Sequence, residues 1–279
     1  MEYLMTYGWA ILIIGIVASA LLYIVFSGNS GNVFQPRASP GSCIVYASNQ
    51  QGNLGLSTTV KNLEGACNNE LPLYVAEFNG AGSYINITGS PALTSGAAYT
   101  VVLWIHSTSQ TGVFYSTWDT NANGYQLSSH SGDAAFGSGS SGDEYSNTIV
   151  TDGKWHQVAG VFNSSGLGSI YVDGVKVLSA STSNTISSQN VQIGRQSGAT
   201  PYYYNGSIAN VQVYNTSLSS NAIAALYTEG IGGAPVALPW LAGWWPLNGN
   251  ANDYSGNNNN GVASGVAYTT SWSSGYAAP

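Results

Sequence analysis

The twelve acidic residues are the side chains with the greatest potential for chemistry in this chain of 279 residues. Enzymes that hydrolyse glycosidic bonds direct two carboxylates at the same bond, and on one strand this requires spacings of two or four residues. No two acidic residues have such a spacing, and the adjacent pair Asp143 and Glu144 lies in a Gly/Ser-rich stretch that predicts a loop. The sequence also lacks the motifs of metalloproteases, serine hydrolases and phosphate-binding loops. We therefore expect no catalytic residues and no enzymatic activity.

A second candidate for chemistry is the Asn-rich segment NANDYSGNNNNG, which contains Asp253. Carboxylate and amide oxygens are ligands for Ca²⁺, so Asp253, with Asn252 and Asn257, could hold this ion. The alternative is a turn in which Asn and Asp side chains bind their own backbone. The sequence leaves both open and indicates no required cofactor.

Four asparagines head N-x-S/T sequons and are candidates for N-linked glycans: Asn86, Asn163, Asn205 and Asn215. Tyr202, Tyr203 and Tyr204 could stack on sugar rings or face a neighbouring subunit. Five Lys and Arg residues give a net charge of -7, which argues against nucleic acid as a partner because phosphates require basic clusters. These features favour an extracellular glycoprotein.

Cys43 and Cys67 are the two cysteines of the chain. Neither has His or Cys neighbours at the spacing of metal ligands, so we expect a disulfide, which is typical of extracellular proteins. Closing a loop of this size would contribute about 3 kcal/mol.

The elements that must position these residues begin with a long apolar segment. No Asp, Glu, Lys or Arg occurs between Glu2 and Arg37, and residues 3–26 are mostly apolar. As a helix with ~1.5 Å rise per residue they extend roughly 36 Å. That length is sufficient for the ~30 Å hydrocarbon core of a bilayer.

Four interpretations of this segment are open. A signal peptide requires a basic n-region, which is missing although residues 18–20 resemble a cleavage site. A membrane anchor normally has a basic cytoplasmic flank, and a buried core helix would require a second long helix. A helix that packs with copies of itself is favoured by Gly8, Gly15 and Ser19, because small residues let helix backbones approach closely.

Glu2 is a lone carboxylate at the start of this apolar run. A buried charge requires a partner, and an N-terminal amine is the nearest candidate. The segment MEYLMTYGWAILIIGIV resembles the N-terminus of archaeal type IV pilins, whose basic leader is removed before the helices bundle in a filament core. The resemblance implies that Glu2 registers each subunit on the next, although the leader typical of the family is missing from this sequence.

After Phe26 a Gly/Ser/Pro-rich linker begins, and from about Leu71 short strands alternate with turns, the pattern of an all-β sandwich. One hairpin turn is predicted at Asp173-Gly174, and one helix in SSNAIAALYTEG, with Ser219 or Ser220 as N-cap and Gly230 as C-cap. The strands are predicted at residues 73–78, 83–87, 99–105, 154–162 and 169–178.

Four segments resemble successive strands and the terminal helix of laminin G-like, concanavalin A-like jelly-roll domains: DGKWHQVAGVF, SIYVDGVKV, VQIGRQ and YNGSIANVQVYNTSLSSNAIAALYTEG. On these strands we expect Trp155 and Tyr171 in the core and His156 as a strand residue rather than a catalytic one. Ala209 and Asn210 stand where the family often has acidic residues, which weakens any metal site.

Residues 242–268, AGWWPLNGNANDYSGNNNNGVASGVAY, resemble the segment that normally opens such a domain, yet here they come last. Some 40 residues cannot bury a core of their own. The segment therefore either closes its own, circularly permuted domain or adds a strand to a neighbouring subunit. We favour closure within the chain, because residues 235–241 offer a short connection.

The sequence thus predicts a mainly β protein with a pilin-like hydrophobic helix at 1–27, a linker and disulfide-stapled region at 28–70, and a jelly roll at 71–279. The favoured function is a pilin, the structural subunit of an archaeal type IV-like pilus, in which identical subunits form a helical filament. The jelly roll would be exposed, for adhesion or glycan binding, and the helix would lie in the membrane before assembly. The alternative is a membrane-anchored cell-surface lectin that does not polymerise.

Overall fold

A computed structural model describes residues 37–38, 45–47, 59–61, 71–88, 97–118, 124–138, 142–182, 191–196 and 202–279. All of them belong to the unit Arg37–Pro279. The predicted helix at 1–27, with its assembly residues, and the predicted disulfide between Cys43 and Cys67 lie outside the described residues. Within the described residues, no helix has the length and apolar character needed to cross a bilayer.

Short strands already occur in the region that the sequence predicts as a linker: β1 (Arg37–Ala38), β2 (Val45–Ala47) and β3 (Thr59–Lys61). Strand β4 (Leu71–Pro72) stands at the start of the predicted jelly roll. These four strands form two small sheets, in which β1 pairs with β4 in parallel and β2 pairs with β3 in antiparallel orientation.

Two larger sheets form the sandwich, and the one named here the front sheet has seven strands. Its strands are β6 (Tyr84–Ile87), β8 (Gly112–Ser116), β9 (Tyr125–His130), β10 (Asp133–Ser138), β11 (Asp143–Ile149), β15 (Val191–Ile193) and β18 (Gly261–Ser264). Their order across the sheet is β11-β10-β9-β8-β15-β6-β18. The acidic pair Asp143 and Glu144 begins β11, so the prediction of a loop at these two residues is wrong; an edge strand there pairs with only one neighbour and tolerates polar side chains.

The back sheet has eight strands. They are β5 (Val75–Asn79), β7 (Tyr99–His106), β12 (Trp155–Phe162), β13 (Leu167–Val172), β14 (Val175–Ser181), β16 (Asn205–Tyr214), β17 (Leu241–Trp245) and β19 (Ala267–Thr269). Their order is β14-β13-β12-β7-β16-β5-β19, and β17 pairs with β16 beyond the end of β5. The predicted hairpin turn joins β13 and β14, with Asp173 and Gly174 both at positive φ.

One α-helix, α1 (Ser220–Thr228), follows β16. Its N-cap is Ser219, whose Oγ accepts a hydrogen bond from the amide of Ala222 at 3.2 Å, as predicted. The C-cap is Glu229 and not Gly230 as predicted. Gly230 is the next residue, and its left-handed φ of 79° is the conformation that commonly follows the C-cap and ends a helix. A short 3₁₀ helix, Leu238–Trp240, leads into β17.

Apolar side chains fill the space between the sheets and also cover the outer face of the back sheet. Trp155 and Tyr171 are buried as predicted, but they lie on that outer face, under the C-terminal tail and under α1 respectively. Burial on both faces explains why β7 is buried along its length except at His106. The main core between the sheets includes Phe78, Ile85, Leu103, Ile105, Phe114, Leu127, Val158, Ile208 and Trp245.

The C-terminal segment completes both sheets of its own domain. Strand β17 pairs with β16, β18 with β6, and β19 with β5. Trp244 and Trp245 on β17 have no exposed surface, so the segment contributes large apolar side chains to the packing. The structure therefore shows closure within the chain, which is the alternative that the sequence favours.

Candidate functional site

The outer face of the front sheet carries a row of polar side chains. Strand pairing aligns Asn86 on β6 with Gln192 on β15, Gln192 with Ser116 on β8, and Ser116 with Gln126 on β9. Because side chains alternate between the faces of a strand, apolar neighbours such as Ile85 point into the core. The row therefore faces away from the core.

One end of this row is accessible. Ser116, Gln126 and Gln192 are buried, whereas Asn86 is partly exposed. The side chains beside Asn86 are also reachable, since Tyr84, Arg195 and Tyr203 are partly exposed and Tyr202 is 56% exposed. A ligand can reach the row at this end.

Arg195 is held at this accessible end by two rings and one amide. Its guanidinium carbon lies 3.7 Å from the ring centre of Tyr84 and 5.9 Å from that of Tyr203. Its Nε donates a hydrogen bond to Gln192 Oε1 at 2.6 Å, and Gln192 Nε2 donates to Asn86 Oδ1 at 3.3 Å. These five residues, Tyr84, Asn86, Gln192, Arg195 and Tyr203, are named here the tyrosine–arginine site.

Local backbone pairing positions the arginine and the tyrosines. Gly194 turns the chain after β15 with φ +81°, where a Cβ would lie 2.3 Å from the ring of Phe78. Arg195 and Tyr203 then form an antiparallel bridge, and Gln196 N–H donates to Tyr202 O at 3.0 Å. This hydrogen bonding orders both ends of the connection between residues 196 and 202.

Only two of the three consecutive tyrosines named from the sequence are accessible. Tyr202 is exposed and Tyr203 is partly exposed, but Tyr204 has no exposed surface. The Tyr204 hydroxyl donates to the backbone oxygen of His106 at 3.0 Å, and burial raises the Tyr204 pKa well above its usual value. Tyr204 is therefore a core residue, because alternation along the strand turns it inward between two outward neighbours.

Arg195 has no carboxylate partner in the described part of the chain, where the ion pairs involve Asp152 and Asp173 with Lys154 and His156. A guanidinium has five N–H donors, and the hydrogen bond to Gln192 uses one. Such a group can bind an external carboxylate through two parallel hydrogen bonds. The site thus combines a positive charge in a fixed position with two partly exposed tyrosine rings.

Asp253, the candidate Ca²⁺ ligand, is surrounded by backbone amides. Its Oδ1 accepts from Trp244 N at 3.0 Å and from Ser255 N at 2.9 Å, and its Oδ2 accepts from Asn259 N at 2.9 Å. N–H donors rather than oxygens therefore surround this carboxylate. The arrangement fits the alternative of an Asx-rich turn, and Ca²⁺ binding here stays a prediction.

The two asparagines proposed beside Asp253 have structural contacts as well. Asn257 Nδ2 donates to the carbonyl oxygens of Leu241 and Ala242 at 3.0 and 3.1 Å, and the amide of exposed Asn252 donates to Asn250 Oδ1 at 2.9 Å. In the described ranges, no three His, Cys, Asp or Glu side chains group in a way that could hold a metal. The Asn257 contacts fix the loop to β17, and the Asn252 contact lies within the loop.

The four sequon asparagines differ in exposure. Asn205 and Asn215 are exposed, whereas Asn86 and Asn163 are partly exposed. Asn163 Oδ1 accepts from the amides of Ser165 at 3.0 Å and Leu167 at 2.9 Å, so its side chain also stabilises the turn between β12 and β13. Glycan attachment at these residues stays a prediction.

His156 lies on β12, and its ring bridges two carboxylates. Nδ1 is 2.8 Å from Asp173 Oδ2, and Nε2 is 3.1 Å from Asp152 Oδ1. Burial alone would lower the His156 pKa, but the hydrogen bonds and charges of the two aspartates outweigh it and raise the pKa. No sequence pattern predicted this bridge, because Asp173 approaches from the hairpin turn between β13 and β14, beside β12.

The sequence matches the family model of the concanavalin A-like lectin/glucanases superfamily over residues 79–224, more than half of its length. The chain therefore belongs to this superfamily, and its described part is a lectin-like jelly roll. No curated protein matches the sequence significantly.

Solved structures that share the fold include the following two proteins. A Bacteroides ovatus protein to which carbohydrate binding has been ascribed is 17% identical, with a TM-score of 0.57 over 72% of this chain and 61% of that one. A heptameric SAP-like pentraxin from Limulus polyphemus is 15% identical, with a TM-score of 0.50 over 70% of this chain and 94% of that one. The chain thus spans about three fifths of the Bacteroides protein, and at these identities the likeness concerns the fold alone.

Proposed function

We propose that the jelly roll binds glycans at the tyrosine–arginine site. The observation that carries this proposal is Arg195, held between Tyr84 and Tyr203 without a carboxylate partner in the described residues. Tyrosine faces stack on sugar rings, and a guanidinium binds carboxylates in a bidentate manner. The site therefore suits a sugar that carries a carboxylate, such as a uronic acid. The carbohydrate binding ascribed to the Bacteroides ovatus protein agrees with this proposal.

A glycan array probed with the full chain tests this function. We expect signals on glycans that contain uronic acids, loss of these signals in Arg195→Gln, and no dependence on Ca²⁺ because the site offers a cation rather than ligands for one. Lys176→Gln is the matched control, since Lys176 lies 5.6 Å from the ring centre of Tyr171 on the back sheet. An array without signals, or equal signals in both variants, would contradict the proposal.

A second proposal concerns the setting in which the domain is displayed. We propose that the chain is a pilin of an archaeal type IV-like filament, with the N-terminal helices in the filament core and the jelly roll outside. The specific support is the charge-free segment between Glu2 and Arg37 and its resemblance to pilins. The domain would then be extracellular, and it would have no enzymatic activity.

Purified cell-surface filaments provide the test. Mass spectrometry should detect the chain in them, and Glu2→Ala should leave the chain in the membrane fraction, because the carboxylate registers each subunit on the next. Glu144→Gln, a change of equal charge in the jelly roll, should assemble normally. Normal filaments in Glu2→Ala would contradict the registering role. A chain that occurs only in membranes would instead favour the lectin that does not polymerise.

The order of elements supports a circularly permuted domain. The segment that resembles the start of the family's jelly roll supplies β17 to β19, after the helix that normally ends it. A connection through residues 235–241 joins the two ends within one domain. The consequence is that β5 is the first strand of the chain to join the two large sheets, and the strands that resemble the family's opening segment join them last.

A further inference from the structure

A polar cleft of about 390 Å³ opens at the back sheet, and none of its lining residues belongs to the tyrosine–arginine site. Strand pairing aligns Ser207 on β16 with Glu77 on β5 and with His106 on β7. Since directly paired residues point to the same face, these three side chains form a row across three adjacent strands. The row is the floor of the cleft.

The C-terminal tail builds one wall of this cleft. Thr269, Ser271, Trp272 and Ser274 line it, and Trp272 is fixed because its Nε1 donates to Pro72 O at 3.2 Å. The tail therefore contributes hydroxyl groups and an indole to a cleft whose floor comes from the sheet.

The floor is ordered by close backbone contacts. Gly206 has φ +145°, and a Cβ there would lie 2.3 Å from His106 O. Ser107 Oγ donates to Asn205 O at 2.6 Å, and Tyr204 donates to His106 O from the core side. The cleft is thus formed before any ligand binds, which reduces the entropy lost on binding.

The chemistry of the lining selects the class of ligand. It contains the Glu77 carboxylate, the His106 ring, the Asn205 amide and several hydroxyls, but no Lys or Arg. Glu77 is exposed and has no ion pair in the described part of the chain. A carboxylate with neighbouring hydroxyl and amide groups binds the hydroxyls of a sugar and repels anions.

We propose that this cleft is a second sugar-binding site, specific for neutral sugars. It is independent of the tyrosine–arginine site, because the two lie on different sheets and carry opposite charges. A chain with both sites binds two chemically different glycans at once.

The sugar has two possible sources. Asn205 lines the cleft and heads a sequon whose Ser207 forms part of the floor, so a glycan on Asn205 begins at the cleft. The other source is an external glycan. Both present the same neutral sugar chemistry, and the experiment distinguishes them.

Histidine ring resonances test the proposal, because the chain has three histidines and His106 is the one that lines the cleft. The full chain, made in a host without N-glycosylation and kept in detergent micelles, is titrated with methyl β-glucoside, N-acetylglucosamine and glucuronate. We expect a saturable shift of the His106 resonances with a neutral sugar and none with glucuronate. His130 and His156 should not shift, which also reports that the fold is intact.

Two variants separate the cleft from other effects. Glu77→Gln should weaken the binding about tenfold, the effect of losing one charged hydrogen bond, whereas Glu144→Gln on the front sheet should bind normally. No saturable His106 shift with either neutral sugar, or equal affinity in Glu77→Gln, would overturn the proposal.

The source is identified with protein isolated from a host that attaches a glycan to Asn205. If the attached glycan fills the cleft, the His106 resonances should be at the shifted position before any sugar is added. The Asn205→Gln variant from the same host should then show them at the unshifted position. Unshifted resonances that still respond to added sugar would show that the cleft binds an external glycan.

Discussion

The indole Nε1 of Trp155 donates a hydrogen bond to the carbonyl oxygen of Trp272, 117 residues later in the chain, at 2.9 Å. The two rings are perpendicular, with centres 6.0 Å apart, and Trp155 N–H donates to Gly275 O at 3.0 Å. Because Trp272 also donates to Pro72, the C-terminal tail connects β12 to the start of the domain. The tail is therefore part of the fold and not an appendage.

Replacing Trp272 by Ala should strongly destabilise the domain. The ring is 3% exposed and packs with Trp104, Trp155 and Tyr276, so its loss should lower the free energy of unfolding by about 3–5 kcal/mol. Urea denaturation measures this. Trp240→Ala is the control: Trp240 is 53% exposed, and a loss as large as that of Trp272→Ala would mean that burial in the tail cluster is not the cause.

Deleting residues 241–279 should abolish cooperative unfolding. The deletion removes β17, β18 and β19, which pair with three strands of both sheets, and it removes Trp244 and Trp245 from the packing. Circular dichroism during heating should show no sharp transition. A monomer that still unfolds cooperatively, but no longer assembles, would support strand exchange between subunits instead.

The strands that the sequence predicts are those with strong β-branched and aromatic content. The strand predicted at residues 99–105 is β7 (Tyr99–His106), and the one predicted at 154–162 is β12 (Trp155–Phe162). Both are rich in apolar residues because one face of each strand packs in the core and the other packs under α1 and the tail. Strands β8 to β11 were not predicted. Their sequences, such as DAAFGS in β10, are rich in Gly, Ser and Ala and poor in β-branched residues. Each pairs with the next strand along the chain, β8 with β9, β9 with β10 and β10 with β11, so weak strand propensity rather than distant pairing hid them from prediction.

The candidate site was predictable only in part. Tyr202 and Tyr203 were named as aromatic residues able to stack on sugars, but nothing in the sequence distinguishes them from buried Tyr204. Arg195 was not recognised, because Tyr84 and Asn86, which complete the site, come from a strand more than one hundred residues earlier. Asp253 was named as a candidate Ca²⁺ ligand, with an Asx-rich turn as the alternative, and only the fold shows that its oxygens face N–H groups.

Stability should depend on the protonation of His156. Its pKa is raised in the folded state, so its stabilising contribution is complete below the unfolded pKa of about 6.5 and is lost as the pH rises through the folded pKa. The free energy of unfolding, measured from mildly acidic to mildly alkaline pH, should fall over this window. His156→Gln should remove that decrease and His130→Gln, without an ion pair in the described residues, should retain it.

An identical decrease in His156→Gln would show that the bridge between Asp152 and Asp173 does not cause the pH dependence.

The contribution of Asp152 to stability should depend on pH in the opposite direction. Burial would raise the pKa of Asp152, but hydrogen bonds from Lys154 and His156 lower it to about 2, so its contribution is present above the unfolded value and is lost as the pH falls through about 2.

Ca²⁺ should leave the thermal midpoint of unfolding unchanged. Both oxygens of Asp253 accept backbone hydrogen bonds, so a cation would have to displace N–H donors from a buried carboxylate. Asp253→Ala should lower the free energy of unfolding by about 2–3 kcal/mol, because the amides are left without an acceptor. A clear rise of the midpoint with Ca²⁺, absent in Asp253→Ala, would establish a Ca²⁺ site in this loop.

Titration calorimetry of the full chain with trigalacturonate tests the central claim of glycan binding at Arg195 most directly. We predict saturable binding to the wild type and to Lys176→Gln, and binding at least about tenfold weaker in Arg195→Gln, the effect of losing one bidentate charged contact. Equal affinity in all three chains, or no binding to the wild type, would contradict the account.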